Sequence, residues 1–386
     1  MGIKNLMKVL NAKTPSAINE ISISELKNKK IAIDTSIIIY QYVSAIRTHG
    51  DDLKSPDGNS TSHILGILTK TLNYLKMGIV PIHIFDGQPP ELKMKILHDR
   101  SKIKKDAINK ISELDLKAKD ETMTQEMIEA MNIEKIKLLK QSVSISHKQM
   151  LEAQEIVKLL GVPYILAPEE ADSQCAYLSR ENLVDYVASE DMDLLTFGTK
   201  KILKNFMKQG QSSSMYSLDI ASILNEGNIT MDQFIDICIL LGCDYTDTIE
   251  GIGMRKAWDL IVKYGSLEEL ISKEQKIINN IYKLPDNFRF IEAREYFKNP
   301  RHIMIESNDL ELKVPKLNEL KMLLIDKYGF TGKNIEHMIG FLRKQYKIAD
   351  INIDVDIDDP FLDDLPKPKI KQIKKKKRIK ILRSNH

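Results

Sequence analysis

The chain has 386 residues, 42% hydrophobic and 29% charged, the balance of a soluble globular protein with a core large enough for one big domain or two ordinary ones. No stretch approaches the roughly 20 apolar residues of a membrane span, so no membrane role is expected. Net charge is +3, but Pro366–His386 holds ten Lys or Arg and no acid, Asp350–Asp364 holds seven Asp and no base, and the residues before Asp350 carry 47 charges of each sign.

A neutral body must contact nucleic acid through local basic patches rather than a global field. The chain opens without a basic start and apolar run, so secretion is not expected, and Leu6 stands where a myristoylation signal has Ser or Thr. Lys30-Ile31-Ala32-Ile33-Asp34 is the first of three short apolar runs that end in acid. Val80 to Asp86 is the second and Val184 to Asp191 the third. Rich in β-branched or aromatic residues and followed by polar or glycine-bearing sequence, they predict strands of a mostly parallel sheet, with helices such as Ser62–Lys76 and His147–Leu160 between them. In such α/β sheets the ligand site lies beyond the carboxyl ends of the strands, so these acids are expected to converge. One such Asp alone is as readily a turn residue; three together favour a site.

After Asp34 come Tyr40 and Arg47, and after Asp86 come Lys93 and Arg100. Each pair is seven residues apart, which returns side chains to nearly one helix face. A tyrosine can stack on a base and Arg or Lys can hold a phosphate; the alternatives are core packing for Tyr40 and a solvated helix face for the bases. Between Glu91 and Leu160 there is neither Gly nor Pro, which predicts long helices, and the basic first part of this stretch points to a DNA-facing lid or arch. Pro168 is a good helix-starting residue, followed by Glu170 and Asp172. In a regular helix those two point about 200° apart, so one is expected to act only through bound water. Asp191 and Asp193, at i and i+2 on an extended strand end, are expected to share a face. From Ile220 to Lys347 the pattern is helical. Asp244 follows the apolar run Ile237–Leu241, where a helix cap is the simpler reading, and Gly251-Ile252-Gly253-Met254-Arg255-Lys256 has the form of a tight turn entering a helix, with start N–H groups suited to a phosphate. The acidic stretch and basic tail beyond read as disordered. Cys175, Cys238 and Cys243 lack CxxC spacing and read as reduced core residues.

Seven acids are therefore candidates for one site: Asp34, Asp86, Glu170, Asp172, Asp191, Asp193 and Asp244. Crowded carboxylates repel and raise one another's pKa, so their convergence makes sense with cations present. Phosphodiester hydrolysis needs a nucleophile from water and positive charge on the attacking and leaving oxygens, which two Mg²⁺ ions about 4 Å apart supply through oxygen ligands. The sequence has no HExxH or paired cysteines for zinc, no P-loop and no GxSxG.

Together, Met1-Gly2-Ile3, Ile31-Ala32-Ile33-Asp34-Thr35-Ser36, Phe85-Asp86-Gly87-Gln88-Pro89-Pro90-Glu91-Leu92-Lys93, Ala167-Pro168-Glu169-Glu170-Ala171-Asp172, Ser189 to Gly198, and Leu241-Gly242-Cys243-Asp244-Tyr245 with Gly251-Ile252-Gly253 resemble the flap endonucleases of the XPG-type structure-specific 5′ nuclease family, from Met1 to about Lys347. The resemblance implies an α/β fold whose mostly parallel central sheet is flanked by helices, with a helical arch insertion and a C-terminal helix–two-turn–helix region. It implies two Mg²⁺ ions, with Mn²⁺ able to substitute, on the seven acids; Lys93 and Arg100 as catalytic contacts to the scissile phosphate; Tyr40, Arg47 and Glu170 against DNA; and the turn of Gly251, Gly253, Arg255 and Lys256 on the downstream duplex, helped by K⁺. The implied activity is 5′ flap endonuclease and 5′–3′ exonuclease cleavage of flapped or nicked DNA in Okazaki fragment processing and base excision repair, by a monomer in the nucleus or at a viral or cytoplasmic replication site. The alternatives are another 5′ nuclease of the family, exonuclease or junction resolvase, and a non-catalytic branched-DNA scaffold.

The expected divisions are an N-terminal nuclease region at 1–105, an arch at 106–146, an internal nuclease region at 147–347 and a tail at 348–386. Two departures from the family stand out. Asp172 is one methylene shorter than the usual Glu, which bears on its coordination. The sliding-clamp (PCNA) box is degenerate, its nearest match running from Asp354 to Phe361 without the Gln and with one aromatic. The run Lys374–Arg378 reads equally as a nuclear import signal or a DNA-binding extension.

Overall fold

A computed structural model describes residues 2–48, 53–118, 124–206 and 214–348, excepting the side chains of residues 47, 48, 332 and 333. Seven strands form one sheet: β1 (Ile18–Ile21), β2 (Lys30–Asp34), β3 (Val80–Phe85), β4 (Tyr164–Leu166), β5 (Tyr186–Ala188), β6 (Lys201–Lys204) and β7 (Met215–Asp219). Their order is β1-β7-β6-β5-β2-β3-β4. Strands β2 to β6 run parallel and β7 is antiparallel to β6 and β1, so the sheet is mostly parallel, as the acid-terminated runs imply. Parallel strands are covered on both faces, and β2 shows it: Ile31, Ala32 and Ile33 are all buried. Ala32 packs into a large cluster with Ile82 and Ile84, while Ile31 and Ile33 face a smaller one with Tyr74 and Leu203. From β2 the chain steps outward through β3 to β4, then crosses back to β5 on the other side of β2. That reversal is a topological switch point, where α/β sheets open a crevice at the strand ends.

Helix α1 (Leu6–Lys13) precedes the sheet, and α2 (Thr35–Thr48) leaves β2 without a loop. Helix α3 (Ser62–Lys76) is buried over most of its length. Next, α4 (Met94–Lys117) and α5 (Gln125–Gln141) pack on each other, and of their side chains only Ala107 and Leu138 are buried. This is the long-helix insertion expected from the Gly- and Pro-free stretch, and α4 runs unbroken past residues 105 and 106. Helix α6 (His147–Leu159) starts with a capping box in which Ser146 and Gln149 exchange side-chain and backbone bonds.

The chain continues through α7 (Ala171–Arg180), α8 (Asp193–Thr196), α9 (Ile220–Gly227) and α10 (Met231–Leu241), then α11 (Ala257–Tyr264), α12 (Leu267–Lys273), α13 (Gln275–Ile278) and α14 (Phe290–Lys298), and ends in α15 (Leu317–Met322) and α16 (Gly332–Gln345). Helices α7, α10, α11 and α14 build the large core, and α3, α6, α15 and α16 a second one. The turns between α10 and α11 are the expected helix–two-turn–helix element.

Two local expectations are corrected. The third acid-terminated run is a strand only over Tyr186–Ala188, so Asp191 and Asp193 do not share a strand face. Instead the Asp191 N–H donates to Ser189 Oγ (3.0 Å) and the Asp193 N–H to Asp191 Oδ1 (3.1 Å), which turns the chain into α8. Likewise α7 starts at Ala171, not at Pro168: the carbonyls of Pro168 and Glu169 accept from Gln88 and Gly87, in the segment just after β3. Glu170 is therefore an extended N-cap residue, and a helical angle between it and Asp172 does not apply.

Candidate active site

Asp34 closes β2 and Asp86 follows β3; Glu170 and Asp172 open α7; Asp191 and Asp193 lie in the turn after β5, and Asp244 lies three residues after α10. Six of the seven, all but Asp193, line one cleft of about 770 Å³, together with Tyr40, Lys93 and Arg100. Asp193 is buried at 2% exposure. Asp244 does not cap a helix: its Oδ2 accepts from Arg100 at 2.7 Å and lies 3.6 Å from the Lys93 ammonium.

Asp34, Asp86 and Glu170 are held by hydrogen bonds from neighbouring elements. Asp34 Oδ1 accepts the Ser36 and Ile37 N–H groups (2.9 and 3.4 Å), capping the helix that follows its own strand. Asp86 accepts the Ala171 N–H at 2.9 Å and the Ser36 hydroxyl at 2.5 Å. That places a carboxylate on the N-terminus of α7, where the helix dipole favours it, and links β3 to α2. Glu170 accepts from the Lys93 ammonium and, at 2.5 Å, from the Tyr245 hydroxyl. Neighbouring Glu169 takes the Tyr296 hydroxyl at 3.0 Å.

Burial, and then the facing acids, push the Asp34, Asp172 and Asp193 carboxyls well above the usual carboxylate range. Burial alone would lower the Lys93 ammonium, but Glu170, Asp172 and Asp244 reverse this and hold it above an ordinary lysine. Asp172 Oδ1 and Asp193 Oδ1 are buried without a hydrogen-bond partner. Such orphaned acceptors are costly, and hard oxygen donors in this number suit divalent cations such as Mg²⁺. Among the described residues no three acids already stand in metal-binding geometry; Lys93 and Arg100 lie between them and neutralise Glu170 and Asp244. The donor set fits the ion.

Sequence reasoning passed over several participants. Tyr245, quoted in a motif but given no role, orients Glu170. Gly2 lies against the third acid pair: a Cβ there would stand 1.7 Å from Asp191 Oδ1 and 2.8 Å from Asp193 Oδ1, so only glycine fits. The Met-Gly-Ile start carried that signal without its reason. Tyr40 is partly exposed and donates through its hydroxyl to the Lys140 carbonyl at the end of α5 (3.1 Å). The Arg47 side chain lies outside the described residues, as do the acidic stretch, the clamp-like box and the basic tail. Gly251, at φ +91°, and Gly253 form a turn that does not line the cleft. Arg255 beside it is exposed; the Lys256 ammonium bonds the Gly251 carbonyl (3.0 Å) and sits 4.6 Å over the Tyr282 ring.

The family model for the XPG N-terminal domain matches residues 1–107, and that for the XPG I-region residues 161–244. Flap endonuclease 1 of Nematostella vectensis is 35% identical over 345 residues, covering 89% of this chain and 88% of that protein. The chain belongs to the flap endonuclease family. Flap endonuclease 1 of Plasmodium knowlesi (strain H) is 38% identical over 367 residues, but this member spans 90% of itself and only 59% of that relative. Among solved structures, the flap endonuclease-1 of Methanococcus jannaschii aligns with a TM-score of 0.63 and 27% identity, over 86% of this chain and 96% of that one. The catalytic core of Rad2 in complex with DNA substrate aligns at 0.65 and 24% identity, over 88% and 100%, which shows a shared fold. The two family models bracket the arch: Asp34, Asp86, Lys93 and Arg100 fall in the first, and Glu170 to Asp244 in the second.

Proposed function

We propose that this flap endonuclease family member cuts DNA phosphodiesters beside a 5′ flap, with 5′–3′ exonuclease action at nicks. The convergence of six acids with Lys93 and Arg100 at one cleft beneath α4, with Asp193 buried behind Asp191, carries this reading. Asp34, Asp86, Glu170, Asp172, Asp191, Asp193 and Asp244 are the residues to hold two Mg²⁺ or Mn²⁺ ions. Bound there, the ions would supply charge to the attacking and leaving oxygens and a water-derived nucleophile.

The protein's own groups do the rest. Lys93, kept charged by its acid neighbours, and Arg100, one α4 face along, exchange carboxylate partners for the scissile phosphate and draw it to the acids. Tyr40, on the cleft wall, offers a ring for the base next to the cut. Tyr245 and the α7 N-terminus fix Glu170 and Asp86 so that little reorganisation is needed. The turn of Gly251 and Gly253, with Arg255, Lys256 and a K⁺ ion, holds the duplex side. Exposed Ile103 on α4 and the apolar Leu97, Val143 and Ile145 also line the cleft, a surface suited to an unpaired strand. The cellular setting we infer is replication and base excision repair in the nucleus, as a monomer with a sliding clamp as a weakly specified partner.

The test is a labelled double-flap DNA with Mg²⁺ or EDTA, against nicked and four-way junction substrates. Preferential, Mg²⁺-dependent release of the 5′ flap is expected; a preference for junctions would move the protein to the resolvase branch, and binding without cutting to a scaffold. The Asp191→Ala variant should retain flap binding and lose cleavage, and near-normal cutting by it would remove the metal assignment.

A further inference from the structure

Strand β3 carries one strongly polar side chain, His83, and it is fully buried. It stands in register opposite Ile33, one residue before Asp34 on β2. Its Nδ1 lies 3.0 Å from Thr35 Oγ1, at the start of α2, and its Nε2 lies 2.9 Å from Thr71 Oγ1 on α3. Both threonines are fully buried as well. Burial pushes the imidazole down to about 3, so the ring is neutral at physiological pH and can donate from one nitrogen only.

The tautomer follows from the third partner. Thr35 Oγ1 sits 3.5 Å from the Ile33 carbonyl, to which its hydroxyl donates, so Thr35 accepts from the ring. Nδ1 then carries the hydrogen, and Nε2 accepts from the Thr71 hydroxyl. The bonds run one way, from α3 through β3 to the first residue of α2 and the carbonyl of β2 just before Asp34. An apolar strand residue would fill this core without desolvating three polar groups, and a satisfied chain of buried bonds specifies one geometry.

We propose that His83 is a positioning residue, its Thr71–His83–Thr35 relay fixing the β2–α2 junction that carries Asp34, and so the spacing of Asp34 from Asp86. This rests on the metal-dependent nuclease reading. His83→Phe keeps a ring and removes both bonds; Thr35→Val removes the hydroxyl next to Asp34; His83→Asn restores a donor toward Thr35. Thr71→Val breaks the far end of the relay, remote from Asp34, and leaves the His83–Thr35 bond in place.

Three readings are taken on the full chain: Mg²⁺ affinity by calorimetry without DNA, single-turnover cleavage at saturating flap DNA, and the His83 ring ¹⁵N spectrum. His83→Phe and Thr35→Val should weaken Mg²⁺ binding and slow cleavage about tenfold, with His83→Asn recovering most of it and Thr71→Val showing the same losses to a smaller degree. The ring should show the Nδ1–H form. Wild-type Mg²⁺ affinity and rate in Thr35→Val, or an Nε2–H ring, would overturn the role, and Thr35→Val decides where Phe is not accommodated. Wild-type protein that neither takes up Mg²⁺ nor cuts would overturn the nuclease reading and the role with it; wild-type behaviour of the variants overturns the role alone.

Discussion

Lys93, which lines the cleft, and Asp193, buried behind it, set opposite problems. Lys93 is a half-buried cation stabilised by three acids, and the proposed chemistry asks it to serve a phosphate that becomes more charged as it reacts. Lys93→Ala should therefore slow single-turnover cleavage on the order of 10²-fold, the scale for losing one preorganised donor, while flap affinity falls much less. Equal losses in rate and binding would reduce it to a substrate-holding residue. Asp193 is a buried anion with an orphaned oxygen among other anions. Its raised carboxyl pKa means the folded state takes up the proton more readily than the unfolded state. Stability from this group is thus full below the ordinary value of 3.8 and is lost as pH rises through the folded value. In metal-free protein at neutral pH, Asp193→Asn should raise the melting temperature; calorimetry in EDTA showing a fall would mean the carboxylate is stabilised by something other than a cation.

At the level of elements, much was legible. The runs ending at Asp34 and Asp86, and the helix Ser62–Lys76, read directly because apolar period and length are local properties. The turn at Asp191 was not legible, because Ser189 and Asp191 side chains compete with strand pairing for the backbone. Nor was the delayed start of α7, since Pro168 permits a helix but Gly87 and Gln88, beyond β3, bond the carbonyls of Glu169 and Pro168. The C-terminal helices hide a further device. Arg294 on α14 makes paired bonds to buried Asp236 on α10 (2.7 and 2.9 Å) and to Glu268 on α12 (2.7 and 2.9 Å), and Asp236 also accepts the Leu267 N–H at 3.0 Å. Arg294→Ala leaves Asp236 buried and unpaired, which should cost about 3 kcal/mol by chemical denaturation. A loss below about 1 kcal/mol, the scale of an exposed ion pair, would show that water reaches the carboxylate.

Across the whole molecule, the fold gathers charge that it does not neutralise. Asp34 and Asp172 share the raised carboxyl of Asp193, so the folded state should bind Mg²⁺ where the unfolded chain does not. At 100 times the dissociation constant that linkage is worth about 2.7 kcal/mol, seen as a higher melting temperature in Mg²⁺ than in EDTA. An Asp34→Asn/Asp193→Asn double variant should lose most of that increment, and an unchanged increment would place the ions elsewhere.

The sequence alone singled out the acids that the fold brings together, and indicated that strands would deliver some of them to one edge, because strand direction and the burial pattern are written in short stretches of chain. It also carried the family's motifs, on which Glu170, Asp172 and Asp244 depended. Only the tertiary structure decided who faces whom: Tyr245 on Glu170, Arg100 on Asp244 across 144 positions of sequence, Gly2 against Asp191, and His83 between two threonines. Those pairings follow from strand order and helix docking, which depend on the sum of the core's packing and leave no local trace in the residues they join.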